Sequence, residues 1–529
     1  MSTGKTYDFI FIGSGIGALT CASIMSRIYR KKVLILEQHE TIGGFSGSLV
    51  SKSGSEFEIG IHQVGELHES TIFHKIMKFI TLGESMWKKL PENFLTFQFP
   101  EDTYKVFAGE DKQKAYLKEK FPDEALNIDK YYQDIQAVTN WYRKYTMSCI
   151  DKNNKSLLKE LFEVEESKLA VLSTKAYLEF RFGTPKLRSF LASHWTDYGL
   201  PPSQSAFLKQ CLLVNNYREG VYYPETGSRS LIETIKKGIE DAGGVIICNA
   251  QVLRVQAKND TAHSVLVHHK DTCETREYFA ETFISGIGVT NTYTRLLRPF
   301  VKDHLLKEIE KFNLRGASLV KVYATLKIDP RLVGADSSLL WIYNSLCHEE
   351  TYRNKANISN GHISQYSISF PSLKKQGGHH TMKINTLVDF STFNNELQHE
   401  NSAESALERM KLKIGRLLLN DAEKYFPGLR ELVETWEVLT PIDVRNNTLH
   451  YRGNIFGIPD TPERYLCDKI NCFTPLNNVF LTGSDVTSSG IYASVLSGVL
   501  TAQAIFQDKD IYFKIIKQTQ TIKAKEVLT

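Results

Sequence analysis

The first part of the chain alternates apolar runs of strand length with a repeat of helical period. Residues 7–12 (YDFIFI) are a short apolar run, residues 18–29 (ALTCASIMSRIY) repeat apolar positions as a helix does, and residues 31–37 (KKVLILE) are a second apolar run. Strand, helix and strand in this order are typical of a βαβ unit with two parallel strands. The pattern therefore predicts that a parallel sheet begins near the start of this chain.

The pattern changes character twice along the rest of the chain. Residues 71–195 alternate helical periodicity with charged stretches, which indicates surface helices rather than sheet and predicts an inserted helical domain. Apolar runs return in two groups, within 243–288 and within 318–388, and the second group suggests a separate sheet. A last apolar run, NNVFLTGSDV at 477–486, ends at glycine and opens a helix, which repeats the geometry of the first strand.

Glycines follow the first strand in the stretch FIGSGIGALT. Gly13, Gly15 and Gly17 let the backbone turn sharply and approach a phosphate, and the next helix directs its N-terminal amides and dipole at that anion. Ala18 still allows close packing of helix and strand, and Glu37 ends the second strand, where it can accept from a ribose hydroxyl. The combination predicts a dinucleotide site without deciding between a nicotinamide and a flavin.

A second glycine-rich segment, HETIGGFSGSL, bears on that choice. Its paired Gly43 and Gly44, with Ser48, mark another close approach of the backbone to a cofactor. A nicotinamide dehydrogenase needs no such element, whereas FAD is longer and its ring lies far from the first turn. We therefore predict FAD as the cofactor.

Composition narrows the classes of function. A chain of 529 residues is too long for one core and fits two or three domains. Its formal net charge of +4 is too small, for a chain of this size, to create the positive electrostatic field that attracts nucleic acid. We therefore expect no nucleic-acid partner. The eight cysteines lack a C-x-x-C pair and metal-ligand spacing, which predicts reduced thiols and no metal. The first residues lack the pattern of a removable signal, so the cytosol is the expected compartment.

Two stretches bear on membrane contact. No charge occurs between Asp485 and Asp508, but Ser, Thr, Gly and Gln crowd that segment, which favours a buried helix over a membrane span. Within residues 71–90 an apolar helical face is formed by Ile72, Ile76, Phe79 and Ile80. Such a face more often packs in a core, but an apolar substrate has to enter from somewhere, so peripheral membrane contact stays open as the alternative.

Segments spread over nearly the whole chain resemble a known family. They are GSGIGAL, LEQHETIGG, FEIGIH, YGLPPSQSAF, VYYPETGSRSLIETI, GGVIICNAQVLRV, GVTNTYTRLL, ISFPS and LTGSDVTSSGIYASVLSG. These segments are similar to the flavin amine-oxidoreductase superfamily and, within it, to the retinol saturase and carotenoid desaturase-isomerase branch, which is phytoene dehydrogenase-like. The resemblance implies bound FAD and a long apolar polyene whose double bonds gain or lose hydride through the flavin.

The same resemblance implies which residues contact the cofactor. They are Ser14, Gly15, Gly17 and Ala18 along the pyrophosphate; Glu37, with Gln38 beside it, at the adenosine ribose; Val252 at adenine through its backbone; Gly44, Ser48, Ile61 and His62 at the ribityl chain and ring; Gly483 and Asp485 at the pyrophosphate and ribityl hydroxyls; and Ile491 at the start of a helix beneath the flavin. The chain departs from the family at Glu58, where Asp is common.

The chemistry is expected to belong to the cofactor, because the sequence shows no nucleophile set, no supported carboxylate pair and no metal spacing. We predict an FAD-dependent oxidoreductase that saturates a carbon-carbon double bond of a retinoid or carotenoid-like polyene by hydride transfer at flavin N5. A redox-neutral cis-trans isomerase and a non-catalytic flavin-binding module are the alternatives. No catalytic residue and no protein partner are singled out.

Together these patterns predict an α/β protein with a Rossmann-like FAD-binding domain and a discontinuous substrate domain of mixed β-sheet plus inserted helices. The predicted boundaries are 1–70, 222–300 and 470–510 for the FAD-binding domain, 71–221 and 301–469 for the substrate domain, and 511–529 for a C-terminal tail.

Overall fold

The structure, a computed structural model, describes residues 6–151, 159–398 and 403–526. Its strands, in chain order, are β1 Thr6–Ile12, β2 Val33–Leu36, β3 Ser48–Val50, β4 Glu56–Glu58, β5 Trp87–Lys89, β6 Asn93–Gln98, β7 Thr103–Phe107, β8 Tyr222–Pro224, β9 Val245–Ile247, β10 Ala250–Lys258, β11 Thr261–His269, β12 Glu274–Ser285, β13 Ser318–Leu326, β14 Leu339–Tyr343, β15 Gln365–Ser369, β16 His380–Val388, β17 Val433–Leu439 and β18 Val479–Leu481.

Its helices, in the same order, are α1 Ile16–Arg27, α2 Ile72–Ile80, α3 Glu110–Lys120, α4 Ala125–Cys149, α5 Glu165–Ala170, α6 Thr174–Arg181, α7 Pro185–Ala192, α8 Phe207–Tyr217, α9 Gly227–Glu240, α10 Val289–Asn291, α11 Asp303–Asn313, α12 His348–Asn354, α13 Phe390–Gln398, α14 Ala403–Ala422, α15 Leu429–Leu432, α16 Pro441–Thr448, α17 Pro462–Leu466, α18 Ile491–Phe506 and α19 Ile511–Glu526.

The first sheet contains the βαβ unit that the sequence predicts. Its strand order is β10-β11-β12-β1-β2-β9, and β18 also pairs with β12. The pairs β1–β2, β1–β12, β2–β9 and β12–β18 are parallel, whereas β10, β11 and the first half of β12 form an antiparallel meander. All four residues of β2 are buried, as expected where helices cover a parallel sheet on both faces. The predicted domain boundaries stay a prediction.

The second sheet confirms that the later strands form a separate unit. Its order is β17-β13-β16-β15-β14-β6-β7, and its pairs are antiparallel except for β14 with β6. Every residue of β13 is buried. Helices and loops therefore cover both faces of this strand, and a polar side chain on it has to find its partners inside the protein.

The prediction of helices rather than sheet over residues 71–195 is wrong for 87–107, which contain β5, β6 and β7. Strands β6 and β7 form one edge of the second sheet. In β7 buried Tyr104 and Val106 alternate with the exposed Thr103 and Lys105, which is the two-residue period of a half-covered edge strand. From Glu110 onward the helical prediction is confirmed by α3 and α4.

The two stretches for which the sequence analysis considered membrane contact are both packed inside the protein. The middle of α18 is buried, as the sequence predicts for this uncharged segment. The apolar side of α2 is buried as well, and α2 packs against α19, α1 and α9, so the core interpretation of this face is confirmed. Among the helices of the described residues, none combines the length and the apolar character needed to cross a bilayer.

Candidate active site

The first turns of α1 and α18 lie side by side because glycines let the two helices touch. A Cβ atom added to Gly17 would lie 2.9 Å from the Cα of Gly483 and 2.9 Å from the backbone oxygen of Ser494, which is too close for any residue other than glycine to fit without a shift. A Cβ on Gly498 would lie 2.5 Å from the backbone oxygen of Gly17. Two helix N-termini, each with unpaired amides and the positive end of a dipole, are thereby brought to one place.

Open space lies in front of these helix ends. A Cβ on Gly483 or Gly490 would meet no atom within 4 Å, and a Cβ on Gly15 would approach only the backbone oxygen of Gly286, at 3.8 Å. Glycines that border open space at helix N-termini form the usual cradle of a diphosphate. The residues present therefore fit the pyrophosphate of FAD.

The first glycine turn, Glu37 and the Gly43 turn, three segments predicted to contact the cofactor, are joined through Ser14. Its backbone N–H and its Oγ donate to Oε2 of Glu37, at 2.9 and 2.6 Å, and its Oγ accepts from the N–H of Gly43 at 3.1 Å. Oε1 of Glu37 accepts from the N–H of His39 at 3.0 Å. Glu37, 6% exposed, thus orients the first glycine turn and the Gly43 turn in addition to its proposed role at the ribose.

The buried Asp485 joins two loops through its carboxylate. Its Oδ2 accepts from the N–H of Val289 at 2.7 Å, and its Oδ1 accepts from the N–H of Ile458 at 2.7 Å. A Cβ on Gly457 would lie 2.2 Å from Oδ1, so the loop approaches the carboxylate as closely as glycine permits. Each carboxylate oxygen keeps a lone pair for a further donor, which is compatible with the implied contact to a ribityl hydroxyl.

The other predicted cofactor residues fall into two groups. Gly13, with a φ of +85°, and Gly44, with a φ of +54°, complete the glycine turns, and Ala18 packs against Gly286, where a Cβ would lie 3.0 Å away. Gln38, Ser48 and Val252 lie outside the cavity: Gln38 Nε2 donates to the Asn447 oxygen, Ser48 Oγ accepts from Arg229, and Val252 lies on β10. Their contacts with FAD stay predictions.

A cavity of about 600 Å³ adjoins the start of α18. Its walls come from β13–β16 of the second sheet, from α4 and α8, and from residues 60–66. The predicted Ile61, His62 and Ile491 line it, together with apolar side chains that include Val64, Ile72, Leu212, Leu213, Leu319, Leu339, Ile455, Phe456 and Leu496. The volume lies within the range of small-molecule sites. The cavity reaches the surface beside α4, where the exposed Arg143 and Met147 line it.

Three buried lysines support the backbone of residues 58–62: Lys321 on β13, Lys383 on β16 and Lys374 in the turn that follows β15. The Nζ of Lys321 donates to the backbone oxygen of Ile59. The Nζ of Lys383 donates to the backbone oxygen of Glu58 at 3.0 Å, and the Nζ of Lys374 to that of His62 at 3.2 Å. Burial lowers the pKa of Lys321 and of Lys374 to about 7 and that of Lys383 to about 8. Of these three, Lys321 lines the cavity.

Glu58 and His62 respond to these charges in different ways. Burial alone would raise the pKa of Glu58, but the charges of Lys375, whose Nζ lies 2.8 Å from Oε1, and of Lys383 hold it below its usual value. Burial and the charges of Lys383, Lys321 and Lys374 keep the pKa of His62 well below its usual value. His62 is therefore neutral at the cavity wall, and its Nδ1 has no hydrogen-bond partner among the described residues.

A second charged network holds the loop that leads into α18. Oδ2 of Asp460 accepts from the N–H and the Oγ of Ser489, at 3.2 and 2.6 Å, and Oδ1 accepts from Arg464 at 2.8 Å. The Nζ of Lys209 donates to the backbone oxygen of Ser489 at 2.7 Å. Burial would raise the pKa of Asp460, but Arg464 and Lys209 lower it to about 2, so this carboxylate stays charged. The network fixes the N-terminus of α18 in the cavity wall.

Sequence reasoning missed the lysines and the Asp460 network. A readable signal exists for Lys321 and Lys383, since each interrupts an otherwise apolar strand in SLVKVYATL and TMKINTLV. The sequence does not mark Asp460 as part of the site: Arg464 is four residues away, but Lys209 and Ser489 come from distant parts of the chain. The eight cysteines all lie within the described residues, and none of them forms a disulfide bond. The described residues contain no group of His, Cys, Asp and Glu able to hold a metal ion.

Relatives of known description are similar over almost the whole chain. The inactive all-trans-retinol 13,14-reductase of Danio rerio is 27% identical over 98% of this chain and 89% of its own length. The all-trans-retinol 13,14-reductase of Rattus norvegicus is 26% identical over 94% of this chain and 86% of its own. Prolycopene isomerase 2 of an Oncidium hybrid cultivar is 23% identical over 95% of this chain and 84% of its own. The resemblance to the retinol saturase and carotenoid isomerase branch is confirmed.

Solved structures share the fold. A putrescine oxidase variant, in a structure titled as a redesign of cofactor binding, matches with a TM-score of 0.61 and 14% identity, over 95% of this chain and 99% of its own. This likeness confirms the predicted α/β fold class. A model of the family described as flavin containing amine oxidoreductase matches residues 19–506. The chain therefore belongs to the flavin containing amine oxidoreductase family and is an FAD-dependent oxidoreductase.

Proposed function

We propose that this protein saturates a carbon-carbon double bond of a long apolar polyene of the retinoid or carotenoid type. The observation that carries the proposal is the cavity of about 600 Å³, whose largely apolar walls meet the start of α18 and the His62 segment. A conjugated hydrocarbon chain gains about 25 cal/mol for each Å² of apolar area that such walls remove from water. The names of the relatives support the same class of substrate.

Bound FAD supplies hydride chemistry at this place. The apolar side chains of the cavity align the substrate and exclude water from it. The N-terminus of α18 favours negative charge at its end of the cavity. Saturation also needs one proton for the second carbon of the double bond, and Lys321 can hold it on Nζ, since this residue lines the cavity and its amino group has a pKa of about 7.

A redox-neutral cis-trans isomerase is the second candidate, and the similarity to prolycopene isomerase favours it. A protein without turnover is the third, because one relative is described as inactive. Product analysis separates the three outcomes. Saturation adds two hydrogens, isomerisation leaves the mass unchanged, and a binding module changes nothing.

A panel of substrates tests the proposed class. We expect that chemically reduced enzyme, kept without oxygen, is reoxidised by all-trans-retinol and by related polyenes, and that oxidised enzyme is not reduced by putrescine or cyclohexylamine. A charged amine would lose its hydration in the largely apolar cavity. Flavin absorbance and product mass are measured together. Reduction of the oxidised flavin by the amines, without reoxidation of the reduced flavin by any polyene, would contradict the proposed substrate class.

We also propose peripheral contact with a membrane at the mouth of the cavity. Met147, 41% exposed, and Phe513, 68% exposed, are apolar side chains on α4 and α19, beside the exposed cations Arg143 and Lys144. Tyr512, next to Phe513, lines the cavity. An apolar surface with basic neighbours suits the interface of an anionic bilayer, and an apolar substrate could pass directly from lipid into the cavity.

Vesicle sedimentation tests this contact. We expect binding to phosphatidylcholine vesicles that contain phosphatidylserine, and at least a fivefold weaker binding after Met147→Glu together with Phe513→Glu, because both changes place charge in the apolar surface. The matched control is Leu126→Glu, since Leu126 is 85% exposed at the other end of α4. Equal sedimentation of all three proteins, or none by the unchanged protein, would rule the contact out.

A further inference from the structure

Two polar side chains lie opposite each other on neighbouring strands in the wall of the cavity. Lys321 on β13 and Asn385 on β16 form a pair in the antiparallel register. The side chains of such a pair share one face of the sheet, with their Cβ atoms about 4.5–5.5 Å apart. Lys321 is 4% exposed, Asn385 is 3% exposed, and both line the cavity. A lysine side chain is long enough to span this separation, so the Lys321 Nζ can reach the Asn385 amide.

The Asn385 amide keeps one acceptor that no group of the described residues satisfies. Its Nδ2 donates to the Oγ of Ser367 at 3.2 Å, and Ser367 is the residue that pairs with Asn385 on the neighbouring strand β15. This bond orients the amide, whereas Oδ1 is buried and accepts no hydrogen bond. Native proteins leave few buried polar atoms unpaired, since each one has lost its bonds to water. Oδ1 is therefore placed to accept from a donor in the cavity wall.

Lys321 has donors available for this oxygen. A protonated lysine carries three N–H donors. In the part of the chain that the structure describes, its Nζ donates to the backbone oxygen of Ile59, which uses one of them. A hydrogen bond to the charged form of a group favours that form. The Asn385 carbonyl, which brings no charge of its own, would therefore stabilise the form of Lys321 that can release a proton.

Burial and a like charge act on Lys321 in the opposite direction. The Nζ of Lys383, on the same strand as Asn385, donates to the backbone oxygens of Glu58 and Ile61, at 3.0 and 3.4 Å, in the segment that Lys321 also bonds. Burial and the charge of Lys383 lower the pKa of Lys321 to about 7. The other titratable groups around this wall are Tyr323 on β13, Glu58 and His62 in the segment above it, Lys374 after β15, and Asp197 and Lys209 elsewhere in the cavity lining.

We propose that Asn385 is a positioning residue for Lys321, and that its Oδ1 accepts a hydrogen bond from the Lys321 ammonium and holds this group at the cavity. The inference rests on the proposed function, in which Lys321 supplies the proton for the second carbon of the double bond. Release of that proton leaves a neutral amine, and a proton from water restores the ammonium. Because Asn385 favours the ammonium, the pH at which Lys321 is half protonated depends on this residue.

Two substitutions at Asn385 are expected to move the titration of Lys321 in opposite directions. Asn385→Leu removes the acceptor, so we expect the midpoint to fall by about one pH unit. Asn385→Asp places a carboxylate at the same position, so we expect the midpoint to rise by about one pH unit. The pH at which the rate of polyene reduction falls is expected to follow the same directions. A substitution that only disturbed the sheet would not reverse the shift with the charge.

Labelling of the oxidised holoenzyme with acetic anhydride measures this midpoint without turnover. The neutral amine reacts and the ammonium does not, so the extent of acetylation at Lys321, read from peptide masses over a series of pH values, follows its titration. The matched control is Thr381→Val, which keeps the size of the side chain. Thr381 lies on the same strand, is buried and has an unpartnered Oγ1, but it does not line the cavity. We expect this control to titrate as the unchanged protein does.

The readouts separate this inference from the proposed function and detect misfolding. Flavin absorbance and melting temperature show whether each variant is folded, and Asn385→Asp, which keeps the size of the side chain, decides the question if Asn385→Leu is not. Opposite shifts of the labelling midpoint in a protein that leaves the mass of the polyene unchanged would support the role of Asn385 and contradict saturation. Saturation by an enzyme whose midpoint stays the same in Asn385→Asp, or falls, would overturn the role of Asn385.

Discussion

The substitution Gly15→Ala is expected to weaken FAD binding about 100-fold, equivalent to about 2.8 kcal/mol, with little change in the stability of the protein without cofactor. Gly15 has a φ of −58°, which any residue adopts, and a Cβ there would approach only the Gly286 oxygen, at 3.8 Å. The added methyl group therefore costs the fold little. It would occupy the space in front of α1 where the pyrophosphate approaches the backbone.

Titration of the stripped protein with FAD, together with its melting temperature, measures both effects. The control is Gly183→Ala, a glycine outside the predicted site whose Cβ would make an ordinary contact of 3.6 Å with Glu124. This variant is expected to bind FAD normally. If Gly15→Ala binds FAD as tightly as the unchanged protein, the pyrophosphate does not lie at the start of α1.

Replacement of Lys321 by Met is expected to slow polyene reduction about 100-fold while FAD stays bound, because the substrate would lose its proton source. The protonated form of Lys321 is the active one. Since burial lowers the pKa of this group to about 7, the rate of the unchanged enzyme is expected to fall as the pH rises above about 7. Lys321→Met is expected to show a low rate without this fall.

Lys374→Met is the matched control for this prediction. Lys374 is a buried lysine whose pKa is also about 7, but its Nζ donates to the backbone oxygen of His62 and it does not line the cavity. Its replacement is expected to keep the fall in rate above pH 7. An unchanged pH profile in Lys321→Met would show that another group supplies the proton.

The parts of the fold that could be predicted are those whose characteristic residues lie close together in the sequence. The βαβ unit carries its apolar strands, its glycines and its terminal Glu37 within forty residues of sequence. Strands β6 and β7 could not be assigned from their pattern, because they are short and lie between helical segments. They join the sheet through the pairing of β6 with the distant β14, which leaves β7 at the edge. The repeat of apolar residues along a strand indicates which of its faces is buried, but it does not indicate which other strand it pairs with.

The same distinction applies to the site. Gly15, Gly483 and Asp485 follow strands and precede helices, and this local geometry made them candidates for cofactor binding. Lys209 and Asp460 gave no such signal, because each acquires its role from a partner far away in the sequence. The glycine cradle was accessible to prediction, whereas the buried charged network at the start of α18 needed the structure.

The most direct measurement of the central claim is a single anaerobic turnover of all-trans-retinol by the reduced enzyme, in which oxidised flavin and product mass are both quantified. Saturation predicts one flavin oxidised for each molecule of product, and a product heavier than the substrate by two hydrogens. A product of unchanged mass formed while the flavin stays reduced would contradict saturation and identify the protein as an isomerase.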